Sequence, residues 1–477
     1  MEFVNREYEL EFLRRIYREE QSHFVVLYGK RRVGKTALIK EFTKDLPHVY
    51  FLADKTTEKI QLQTLSEKVG LLFRDDFLLS RGFGSWPEFF RYLKGKGKVV
   101  VVLDEFPFLI ESNRAIPSIF QKGWDEELKD SGVYLVLQGS SIGLMETEVL
   151  GYRSPLFGRR TAQLLVTPLD FWHAKKFFPR KDADEFMTLF ALLGGTPAYL
   201  LQFDPAADLW SNIRNRMLTP EAYLFSEPEF ILREELREPR NYFAILRAIS
   251  MGKTRPGEII NETGFEKGLV GKYLSVLVDL GIVRREVPVT ETAFEKSKKG
   301  IYTLDDDFFR FWFSFVFPNK SFIEERELDY LIDTKIKPRL EIFVSRTFED
   351  VCRSYVKKGF LGGLKFNRVG RWWTKDAEVD VVGLNDDDDT LLLGEVKWSV
   401  NAVGMDVLAG LKRKASLVEW GSEGRKVRYA LFSRSGFTPE VVGLAAREGV
   451  FLSTLEDIAR MQPIQGPAEG GGGWTQC

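Results

Sequence analysis

The chain has 477 residues, more than one ordinary domain holds, so about two to four domains are expected. Hydrophobic residues make up 44% and charged residues 29%, which is typical of a soluble globular protein. The net charge of −1 excludes a general attraction to nucleic acid, so any such binding must come from local patches. The two cysteines, Cys352 and Cys477, exclude a disulfide scaffold and a cysteine zinc site, and they fit a reducing cytosol.

The apolar stretches do not predict a membrane protein. The longest one, FFRFWFSFVF at 308–317, is too short to span a bilayer and predicts a buried aromatic core or a domain contact. The first residues do not have the pattern of a signal peptide, so none is expected. We therefore expect a cytoplasmic protein without a membrane partner. Residues 461–477, which end in PIQGPAEGGGGWTQC, are expected to be disordered.

The strongest local pattern is FVVLYGKRRVGKTALIKEF at 24–42. A short apolar strand runs into Gly29-x-x-x-x-Gly34-Lys35-Thr36, and a helix follows, which is the context of a phosphate-binding loop. Backbone N–H groups of such a loop and of the helix N-terminus cradle phosphates, so ATP is the expected cofactor. Lys35 should reach the β- and γ-phosphates, and the Thr36 hydroxyl should ligate Mg²⁺. The predicted nucleotide-binding residues of the loop are Gly29, Lys30, Arg31, Arg32, Val33, Gly34, Lys35, Thr36 and Ala37.

A second strand, KVVVVLDEF at 98–106, is continuously apolar, as in the buried strands of a parallel sheet. It ends in Asp104, which suits the magnesium shell, and Glu105, which suits a general base that orients the attacking water. The next strand, VYLVLQGSS, ends in small polar residues. Ser140 is the candidate that senses the γ-phosphate, with Gln138 or Ser141 as alternatives.

The segment SPLFGRRTAQL at 154–164 offers a charged group for the reaction. Arg159 or Arg160 is a candidate arginine finger that stabilises charge on the transferring phosphoryl group. A surface pair held by salt bridges is an equally good interpretation. If the finger acts across an interface, the protein is a homo-oligomer, and the sequence leaves this open.

Six motifs together resemble a known group: FVNREYELEFL, the phosphate loop, VVVVLDEF, LQGSS, GRRTAQL and GGTPAYL. Over about the first 230 residues the chain is similar to the archaeal ATPase family among the additional-strand P-loop ATPases, near the AAA+ and STAND groups. This resemblance implies a parallel sheet with the catalytic strand inserted between the loop strand and its chain neighbour. It implies that the adenine is approached by Phe3, Val4, Arg6 and Glu7. It also implies a helical lid over the nucleotide that contains Gly194, Gly195 and Pro197.

The middle of the chain, 239–303, predicts three helices followed by a β-hairpin, the order of a winged helix. It holds eleven Lys or Arg and seven Asp or Glu, a net charge of +4 that suits contact with DNA phosphates. A winged helix that serves only as a packing module is the alternative. The candidate DNA contacts are Lys267, Lys272, Lys296, Lys298 and Lys299.

Near the C-terminus, EVDVVGLNDDDDTLLLGEVKW at 378–398 predicts a strand, a turn and a strand. If Asp386 to Asp389 form a four-residue turn, Asp380 lies opposite Glu395, with Cβ atoms roughly 5 Å apart. Glu378 then lies opposite Lys397. The four aspartates fit a calcium loop badly and are expected to form a solvated turn.

Asp380 with Glu395-Val396-Lys397 matches the pattern D…ExK, in which two acids hold Mg²⁺ or Mn²⁺ and the lysine assists. Glu349, on a predicted upstream helix, is the candidate third metal ligand. Over roughly 335–455 the chain resembles the restriction-endonuclease-like domain of the PD-(D/E)xK superfamily, which implies DNA cleavage by Asp380, Glu395 and Lys397. A structural salt bridge between Glu378 and Lys397 is the alternative. Downstream, Lys412 and Lys414 are predicted on a helix that follows a phosphate backbone.

The expected fold class is α/β multidomain. The predicted parts are a P-loop ATPase core at 1–170, a helical lid at 171–237, a winged helix at 238–306, a connector at 307–334, a nuclease-like domain at 335–460 and the tail. The leading hypothesis is an ATPase coupled to metal-dependent DNA cleavage. The alternative is a nucleotide-switched, STAND-like regulator that binds DNA or protein and does not cut. The sequence does not distinguish DNA from RNA.

Overall fold

The computed structural model describes residues 4–236 and 238–461. These residues form two compact units. The first consists of the described residues up to Pro168 together with 196–198, and the second consists of 169–195 and the described residues from Tyr199 onward. Phe3 and the predicted tail beyond Met461 lie outside the described residues.

The first unit is built on a sheet of five parallel strands in the order β2-β3-β4-β1-β5. The strands are β1 (His23–Tyr28), β2 (His48–Leu52), β3 (Val100–Asp104), β4 (Tyr134–Gly139) and β5 (Ala162–Leu165). Every residue of β1, β3 and β4 is buried, which explains their continuously apolar sequences. β3 pairs with β2 and β4, and β3 and β4 together lie between β1 and β2, so the insertion of the catalytic strand between the loop strand and its chain neighbour is confirmed.

Helices cover both faces of this sheet. They are α1 (Glu7–Arg18), α2 (Lys35–Thr43), α3 (Glu58–Phe73), α4 (Asp76–Arg81), α5 (Trp86–Lys94), α6 (Phe106–Ser112), α7 (Ile116–Gly123) and α8 (Ile142–Leu144), with π-helical turns at Trp124–Leu128 and Met145–Val149. One core, which includes Leu13 and Leu38, packs on one face of the strands, and an aromatic-rich core, which includes Trp86 and Phe120, packs on the other. The parallel strands therefore point their carboxyl ends, where the phosphate loop begins, toward one edge of a well-packed layer.

The second unit opens with a series of helices of 4 to 13 residues, followed by three helices of 8 to 13 residues and a hairpin. The elements are α9 (Phe171–Ala174), a 3₁₀ turn (Lys175–Phe177), α10 (Ala183–Leu193), α11 (Pro197–Leu200), α12 (Leu209–Asn212), a π turn (Ile213–Met217), α13 (Tyr223–Glu235), α14 (Pro239–Ser250), α15 (Pro256–Thr263), α16 (Lys267–Asp279), β6 (Val283–Glu286) and β7 (Ile301–Leu304). β6 and β7 pair antiparallel, with Val283 opposite Leu304. The prediction of three helices and a β-hairpin in this segment is confirmed.

The aromatic segment that follows is buried. Its elements are α17 (Asp307–Phe311), a π turn (Trp312–Val316), a 3₁₀ turn (Phe317–Asn319), α18 (Lys320–Glu324), α19 (Leu328–Leu331), a π turn (Ile332–Ile336) and the long α20 (Lys337–Lys357). Phe308, Phe311, Trp312 and Phe315 are at most 1% exposed, so the prediction of a buried aromatic core is confirmed. No helix among the described residues is both long and apolar enough to cross a membrane.

The second unit ends in a mixed five-stranded sheet, in the order β12-β11-β10-β9-β8. Its elements are β8 (Arg368–Trp373), β9 (Glu378–Asn385), β10 (Thr390–Lys397), α21 (Met405–Lys414), a 3₁₀ turn (Ala415–Leu417), β11 (Lys426–Ser433), α22 (Pro439–Glu448), β12 (Phe451–Thr454) and α23 (Leu455–Arg460). β8, β9 and β10 pair antiparallel, whereas β10, β11 and β12 pair parallel.

The β9–β10 hairpin has the register that the sequence predicts. Residues 386–389 form the turn, Thr390 pairs with Asn385, and Gly394 pairs with Val381. Asp380 and Glu395 are the next residues outward on the two strands. The aspartate run is a largely exposed turn in which Asp386 bonds Arg368 at 2.9 Å, as expected for a solvated loop.

Candidate functional site

The phosphate loop has backbone features that only particular residues tolerate. Gly29 has φ +154°, and a Cβ there would come 2.2 Å from the backbone oxygen of Val166, so the loop passes too close to that carbonyl for any side chain. Gly34 has φ +95° and directly precedes α2, whose first N–H groups therefore face the loop. The two glycines of the motif thus shape an anion-binding turn at a helix N-terminus.

Lys35, Thr36 and Asp104 come together at the end of this loop. Lys35 is 6% exposed, and its Nζ donates to the backbone oxygens of Gly29 and Lys30, both at 2.9 Å. The Thr36 hydroxyl donates to Asp104 Oδ2 at 3.3 Å. Asp104 ends β3 beside the loop and is 3% exposed. The two side chains predicted to serve Mg²⁺ are therefore hydrogen-bonded to each other, and the lysine predicted to serve phosphate is held on the loop next to Thr36.

Two further residues hold Asp104: Tyr50, which the sequence did not single out, and Gln138, an alternative phosphate sensor. The Tyr50 hydroxyl donates to Asp104 Oδ2, and the side-chain amide of Gln138 donates to Oδ1. Burial, reinforced by Asp104, raises the pKa of Tyr50 well above its usual value, so the hydroxyl stays protonated as a donor. Gln138 was an alternative to Ser140 as phosphate sensor, whereas no sequence motif points to Tyr50. Its place on β2, which is hydrogen-bonded to β3, was the available signal.

Glu105 and Ser140 form the second pair at this edge. Glu105 has a left-handed backbone, φ 51°, immediately before α6. Its carboxylate accepts hydrogen bonds from the Ser140 hydroxyl and from the Ser140 backbone N–H, the latter at 3.3 Å. The structure therefore joins the predicted general base to the predicted γ-phosphate sensor. Glu105 follows directly on Asp104. The two acids therefore contact neighbouring groups of one site, Asp104 the hydroxyl of Thr36 and Glu105 the hydroxyl of Ser140.

Arg6 binds the backbone of the phosphate loop. It is 5% exposed, forms an ion pair with Glu9 at 2.9 Å, and donates to the backbone oxygens of Val33, at 3.1 Å, and Thr167. Its guanidinium thus ties α1 to the phosphate loop and to the segment after β5. An approach of Arg6, Val4 or Glu7 to adenine stays a prediction.

The two candidate finger arginines lie elsewhere in the same unit. The backbone N–H of Thr161 donates to the oxygen of Phe24 at 2.8 Å, so the backbone of Arg159 and Arg160 lies beside the start of β1, whereas the charge of Arg160 acts on Tyr28 at the other end of that strand. The phosphate loop leaves the opposite end of that strand. Arg159 pairs with Asp125 at 3.3 Å, which fits the surface salt-bridge alternative. The structure does not bring Arg159 to the loop of its own chain, and a role across an interface stays a prediction.

The predicted lid residues divide between two surroundings. Pro197 lies next to the loop, since its Cγ would be 3.9 Å from a Cβ placed on Gly34. Gly195 packs against the backbone of Leu169, where a Cβ would come 1.7 Å from the carbonyl oxygen. Gly194 has φ +61° and ends α10. Only Pro197 of the three is therefore seen beside the predicted nucleotide site.

A second group of charged residues lies on the C-terminal hairpin. Asp380 Oδ2 accepts a hydrogen bond from the backbone N–H of Val396 at 2.9 Å. Burial and then the charge of Glu395 raise the pKa of Asp380 to about 6. Burial and then Asp380 raise the pKa of Glu349, on α20, to about 7. The carboxylates predicted to form a metal site thus lie close enough to disfavour each other's charge.

Two lysines occupy both oxygens of Glu395. Lys397 Nζ donates to Oε1 and Lys414 Nζ to Oε2, each at 2.8 Å. Burial lowers the pKa of Lys397, but Glu395, Asp380 and Glu349 outweigh it and hold that pKa above its usual value. Glu378 pairs with Arg371, so the alternative of a Glu378–Lys397 salt bridge is wrong. Lys414 was expected along a phosphate backbone and instead joins the acidic site, while Lys412 pairs with Glu448.

Arg353 is the residue at this site that the motif does not reveal. Its Nη1 donates to the backbone oxygen of Asp380 at 2.7 Å and lies 3.6 Å from Glu349. The i,i+4 spacing of Glu349 and Arg353 was the available signal. Within residues 4–236 and 238–461, no group of three or more His, Cys, Asp or Glu side chains is arranged to hold a metal ion. The metal set of Glu349, Asp380 and Glu395 stays a prediction.

The predicted DNA-contacting lysines share one property, exposure. The exposed residues are Lys267 and Lys272 on α16 and Lys296, Lys298 and Lys299 between β6 and β7. Lys299 pairs with Glu291 at 2.9 Å, which reduces its availability. Their contact with nucleic acid stays a prediction.

Two segments of the chain match known protein families. Residues 3–203 match a family model described as an ATPase domain predominantly from Archaea, and residues 312–407 match one described as Archaea bacterial proteins of unknown function. An uncharacterized protein of Methanocaldococcus jannaschii is 34% identical over 399 residues, which are 83% of this chain and 87% of that protein. An uncharacterized ATP-binding protein of the same organism is 56% identical over 43 residues, 9% of this chain and 73% of that protein.

Among solved structures, the Walker-type ATPase of Pyrococcus abyssi is similar, with 22% identity and a TM-score of 0.48 over 65% of this chain and 96% of that chain. The ATPase resemblance read from the motifs is confirmed by the match of residues 3–203. The matched C-terminal model carries no function, so the nuclease resemblance stays a prediction. With a relative of such identity and coverage, the chain belongs to the archaeal P-loop ATPase family, and it joins that ATPase domain to a C-terminal domain of unknown function.

Proposed function

We propose that this protein binds ATP with Mg²⁺ and hydrolyses it at the phosphate loop. The observation that supports this most directly is the convergence of Lys35, Thr36, Asp104 and Glu105 at the carboxyl ends of β1 and β3. Such an edge of a parallel sheet is where nucleotides bind in α/β proteins. A chance loop sequence would not supply the acidic pair at the same edge.

The residues fit a magnesium ion. The Thr36 hydroxyl and the Asp104 carboxylate are hard oxygen donors, and they already lie 3.3 Å apart. When bound, Mg²⁺ supplies charge that stabilises the phosphate oxygens. Tyr50 and Gln138 orient Asp104, and Ser140 orients Glu105 so that its carboxylate can position an attacking water. Lys35 would move from the loop carbonyls onto phosphate oxygens.

Steady-state ATP hydrolysis by the full chain tests this proposal. Glu105→Gln should reduce kcat by about 10²–10⁴-fold, because a general base is removed, while ATP still binds. Lys35→Ala should abolish measurable turnover. Lys44→Ala is the matched control, since Lys44 is exposed at the other end of α2. Wild-type turnover in Lys35→Ala would contradict the proposal.

We further propose that the C-terminal domain is a PD-(D/E)xK-type nuclease that cuts DNA, preceded by a winged helix over 238–306. The support is the side-chain bond of Asp380 to the Val396 backbone, which places this carboxylate beside Glu395 and Lys397, with Glu349 facing it from α20. The domain boundaries at 170, 237, 306, 334 and 460 are part of this proposal.

The donor set at this second site suits a hard divalent ion. Glu349 and Asp380 are oxygen donors. Burial and then Asp380 raise the pKa of Glu349 to about 7, burial and then Glu395 raise the pKa of Asp380 to about 6, and a bound cation would offset both causes. A bound Mg²⁺ or Mn²⁺ would activate water and stabilise charge on the scissile phosphate. Lys397 and Lys414 are both bonded to Glu395. A metal ion that also bound Glu395 would replace them there, and the two lysines could then contact the phosphate.

One observation favours a second function. Both oxygens of Glu395 are bonded to lysines at 2.8 Å, so this carboxylate is satisfied by the protein itself. A domain that has kept the fold but exchanged the metal for an internal ion-pair network would bind DNA or protein without cutting. The chain would then be a nucleotide-switched regulator of the STAND type.

A cleavage assay separates the two functions. The full chain is incubated with supercoiled, linear and branched DNA and with RNA, with Mg²⁺ or Mn²⁺, with and without ATP. Asp380→Ala removes the candidate ligand, and Asp387→Ala, in the exposed turn of the same hairpin, is the control. Cutting by wild type and Asp387→Ala but not by Asp380→Ala supports the nuclease. ATP hydrolysis without cutting of any substrate favours the regulator. Lys35→Ala shows whether ATP gates the cut.

A further inference from the structure

A cavity of about 220 Å³ lies in the second unit, among α14, β7, α17 with the π turn after it, and α20. Its lining contains three arginines, Arg310, Arg339 and Arg346, together with Ser250 and Ser314. Neither Asp nor Glu is part of the lining. The lining of this concave site therefore carries three guanidinium groups and two hydroxyls, and one of the guanidinium groups, that of Arg310, is paired with Asp307 outside the lining.

Two of these arginines carry buried donors without partners. Arg310 is 5% exposed, and its Nη2 is engaged by Thr347 and, at 3.1 Å, by Asp307. Its Nε, by contrast, is buried and has no hydrogen-bond partner among the described residues. The Nη2 of Arg346, which lines the same cavity, is also buried and has no hydrogen-bond partner among the described residues. Because buried donors are almost always bonded, these two N–H groups point to a missing acceptor.

The surroundings hold the guanidinium groups in place. Arg310 lies over the Phe343 ring at 4.1 Å and Arg339 over the Phe315 ring at 5.3 Å. Burial, followed by the charge of Arg310, lowers the pKa of Arg346 to about 10. Asp350 counteracts this shift without cancelling it. The guanidinium groups are thus held in place, Arg310 beside Asp307 and Arg346 within reach of the charge of Asp350.

We propose that this cavity is a binding site for a phosphate group, either inorganic phosphate or the phosphate of a small phosphomonoester. Arginine forks match the oxygens of phosphate, and donors converging from α17 and α20 suit an anion with several oxygens. The volume is below the roughly 300–1,000 Å³ of pockets that enclose larger organic ligands. Ile342, which is 77% exposed, lies at the rim, so an attached group can extend toward solvent.

Occupation of this site would act on the helix that carries the candidate nuclease residue. Arg346 precedes Glu349 and Asp350 by one turn of α20, and Arg310 reaches the same helix at Thr347. A phosphate drawn to Arg346 would compete with Asp350 for its charge. The binding site itself does not depend on the nuclease proposal, because it is argued from the cavity alone.

Calorimetric titration of the full chain tests the proposal. The titrations are done in a Lys35→Ala background, so that the phosphate loop contributes least, at constant ionic strength, with inorganic phosphate and with AMP. Saturable binding at one site per chain is expected. Arg346→Gln should weaken it by at least about tenfold, because charge-assisted hydrogen bonds are lost. Lys337→Gln, an exposed change on the first turn of the same helix, should leave it unchanged.

If phosphate and AMP bind equally tightly, inorganic phosphate alone is sufficient as the ligand. If AMP binds more tightly, the ligand is a phosphomonoester. Either result supports the proposed site. Arg339→Gln is the second variant, since Arg339 is exposed and its loss does not threaten folding. No saturable binding in the Lys35→Ala background would overturn the proposal. Affinities unchanged by both Arg346→Gln and Arg339→Gln would also overturn it.

Discussion

Asp380 and Val396 are joined across the C-terminal hairpin by a hydrogen bond of 2.9 Å, from the backbone N–H of Val396 to Asp380 Oδ2. The bond fixes the carboxylate between the two residues that flank Val396, Glu395 and Lys397. Glu349 approaches from α20, and its charge interacts with that of Asp380. A carboxylate that is anchored, largely buried and next to other carboxylates has an identifiable effect on stability.

The first prediction is that Asp380→Asn stabilises the protein at pH 8 and not at pH 4. The folded pKa of Asp380 is raised to about 6, so its stabilising protonation is fully present below the unfolded value of 3.8 and is lost as pH rises through 6. Asparagine keeps the acceptor for Val396 and removes the charge. We expect a gain of about 1–3 kcal/mol in the free energy of unfolding at pH 8.

Denaturant unfolding at several pH values measures this difference. Asp387→Asn, in the exposed turn, should follow the wild type at every pH. If a divalent ion binds as proposed, adding Mn²⁺ at pH 8 should stabilise the wild type more than Asp380→Asn. A wild type that is more stable than Asp380→Asn at pH 8 without metal would show that burial and the charge of Glu395 do not destabilise the ionised Asp380.

Much of the nucleotide site could be predicted from sequence, because its geometry is local. The spacing of Gly29, Gly34 and Lys35 fixes the turn and the helix start, and an apolar strand ending in Asp104 can only end at that sheet edge. The contact of Tyr50 with Asp104 depends instead on which strands are neighbours and on side-chain length. Neither is readable from a motif.

The C-terminal domain shows the same division. The hairpin register followed from the turn length, and it placed Asp380 next to Glu395 as predicted. The partners of these acids come from α20 and α21, more than 15 residues away in sequence: Arg353 lies 27 residues from Asp380 and Lys414 lies 19 from Glu395. Long-range ion pairs of this kind have no sequence period, so the motif could not reveal that Glu395 is already neutralised.

The second prediction concerns Ser140, whose hydroxyl and backbone N–H both donate to Glu105. Ser140→Ala removes one of the two bonds that orient the predicted general base. Because small misplacements of catalytic groups are costly, kcat for ATP hydrolysis should fall about 10–100-fold, with little change in the dissociation constant of ATP. Ser80→Ala, which changes an exposed serine on α4, is the matched control, and an equal loss of kcat in it would mean that Ser140 has no special role.

The third prediction concerns Arg6, which bonds the Val33 carbonyl of the phosphate loop while pairing with Glu9. Arg6→Met leaves the buried Glu9 without its partner, so the free energy of unfolding should fall by about 3–5 kcal/mol. The loosened loop should also bind ATP about tenfold more weakly. Arg14→Met, exposed on the same helix, should change neither quantity.

A double variant separates the two effects of Arg6. Adding Glu9→Gln to Arg6→Met removes the uncompensated charge and should recover part of the lost stability. ATP affinity should stay low, because Val33 still lacks its donor. Full recovery of ATP affinity in the double variant would show that Arg6 supports only the folded state and not the loop.

The last prediction concerns Arg284 on β6, which donates to both oxygens of Asp350 on α20, at 2.8 and 3.0 Å. Burial alone would raise the pKa of Asp350, but Arg284 and Arg353 outweigh it and hold this pKa well below its usual value. The pair therefore ties the β6–β7 hairpin to the helix that carries Glu349. Because both side chains are 32% exposed, solvent screening reduces the energy below that of a fully buried pair.

Arg284→Met should lower the free energy of unfolding by about 1–3 kcal/mol at pH 7. The depressed pKa of Asp350 stabilises the fold in full above the unfolded value of 3.8, and this stabilisation is lost progressively as pH falls below 3.8 toward the folded value, so the difference from wild type should begin to shrink near pH 3. Arg247→Met, an exposed change on α14, should be neutral at both pH values. A loss in Arg284→Met that is the same at pH 7 and pH 3 would assign the effect to packing of the arginine stem, and the hairpin would then be held to α20 by contact area and not by charge.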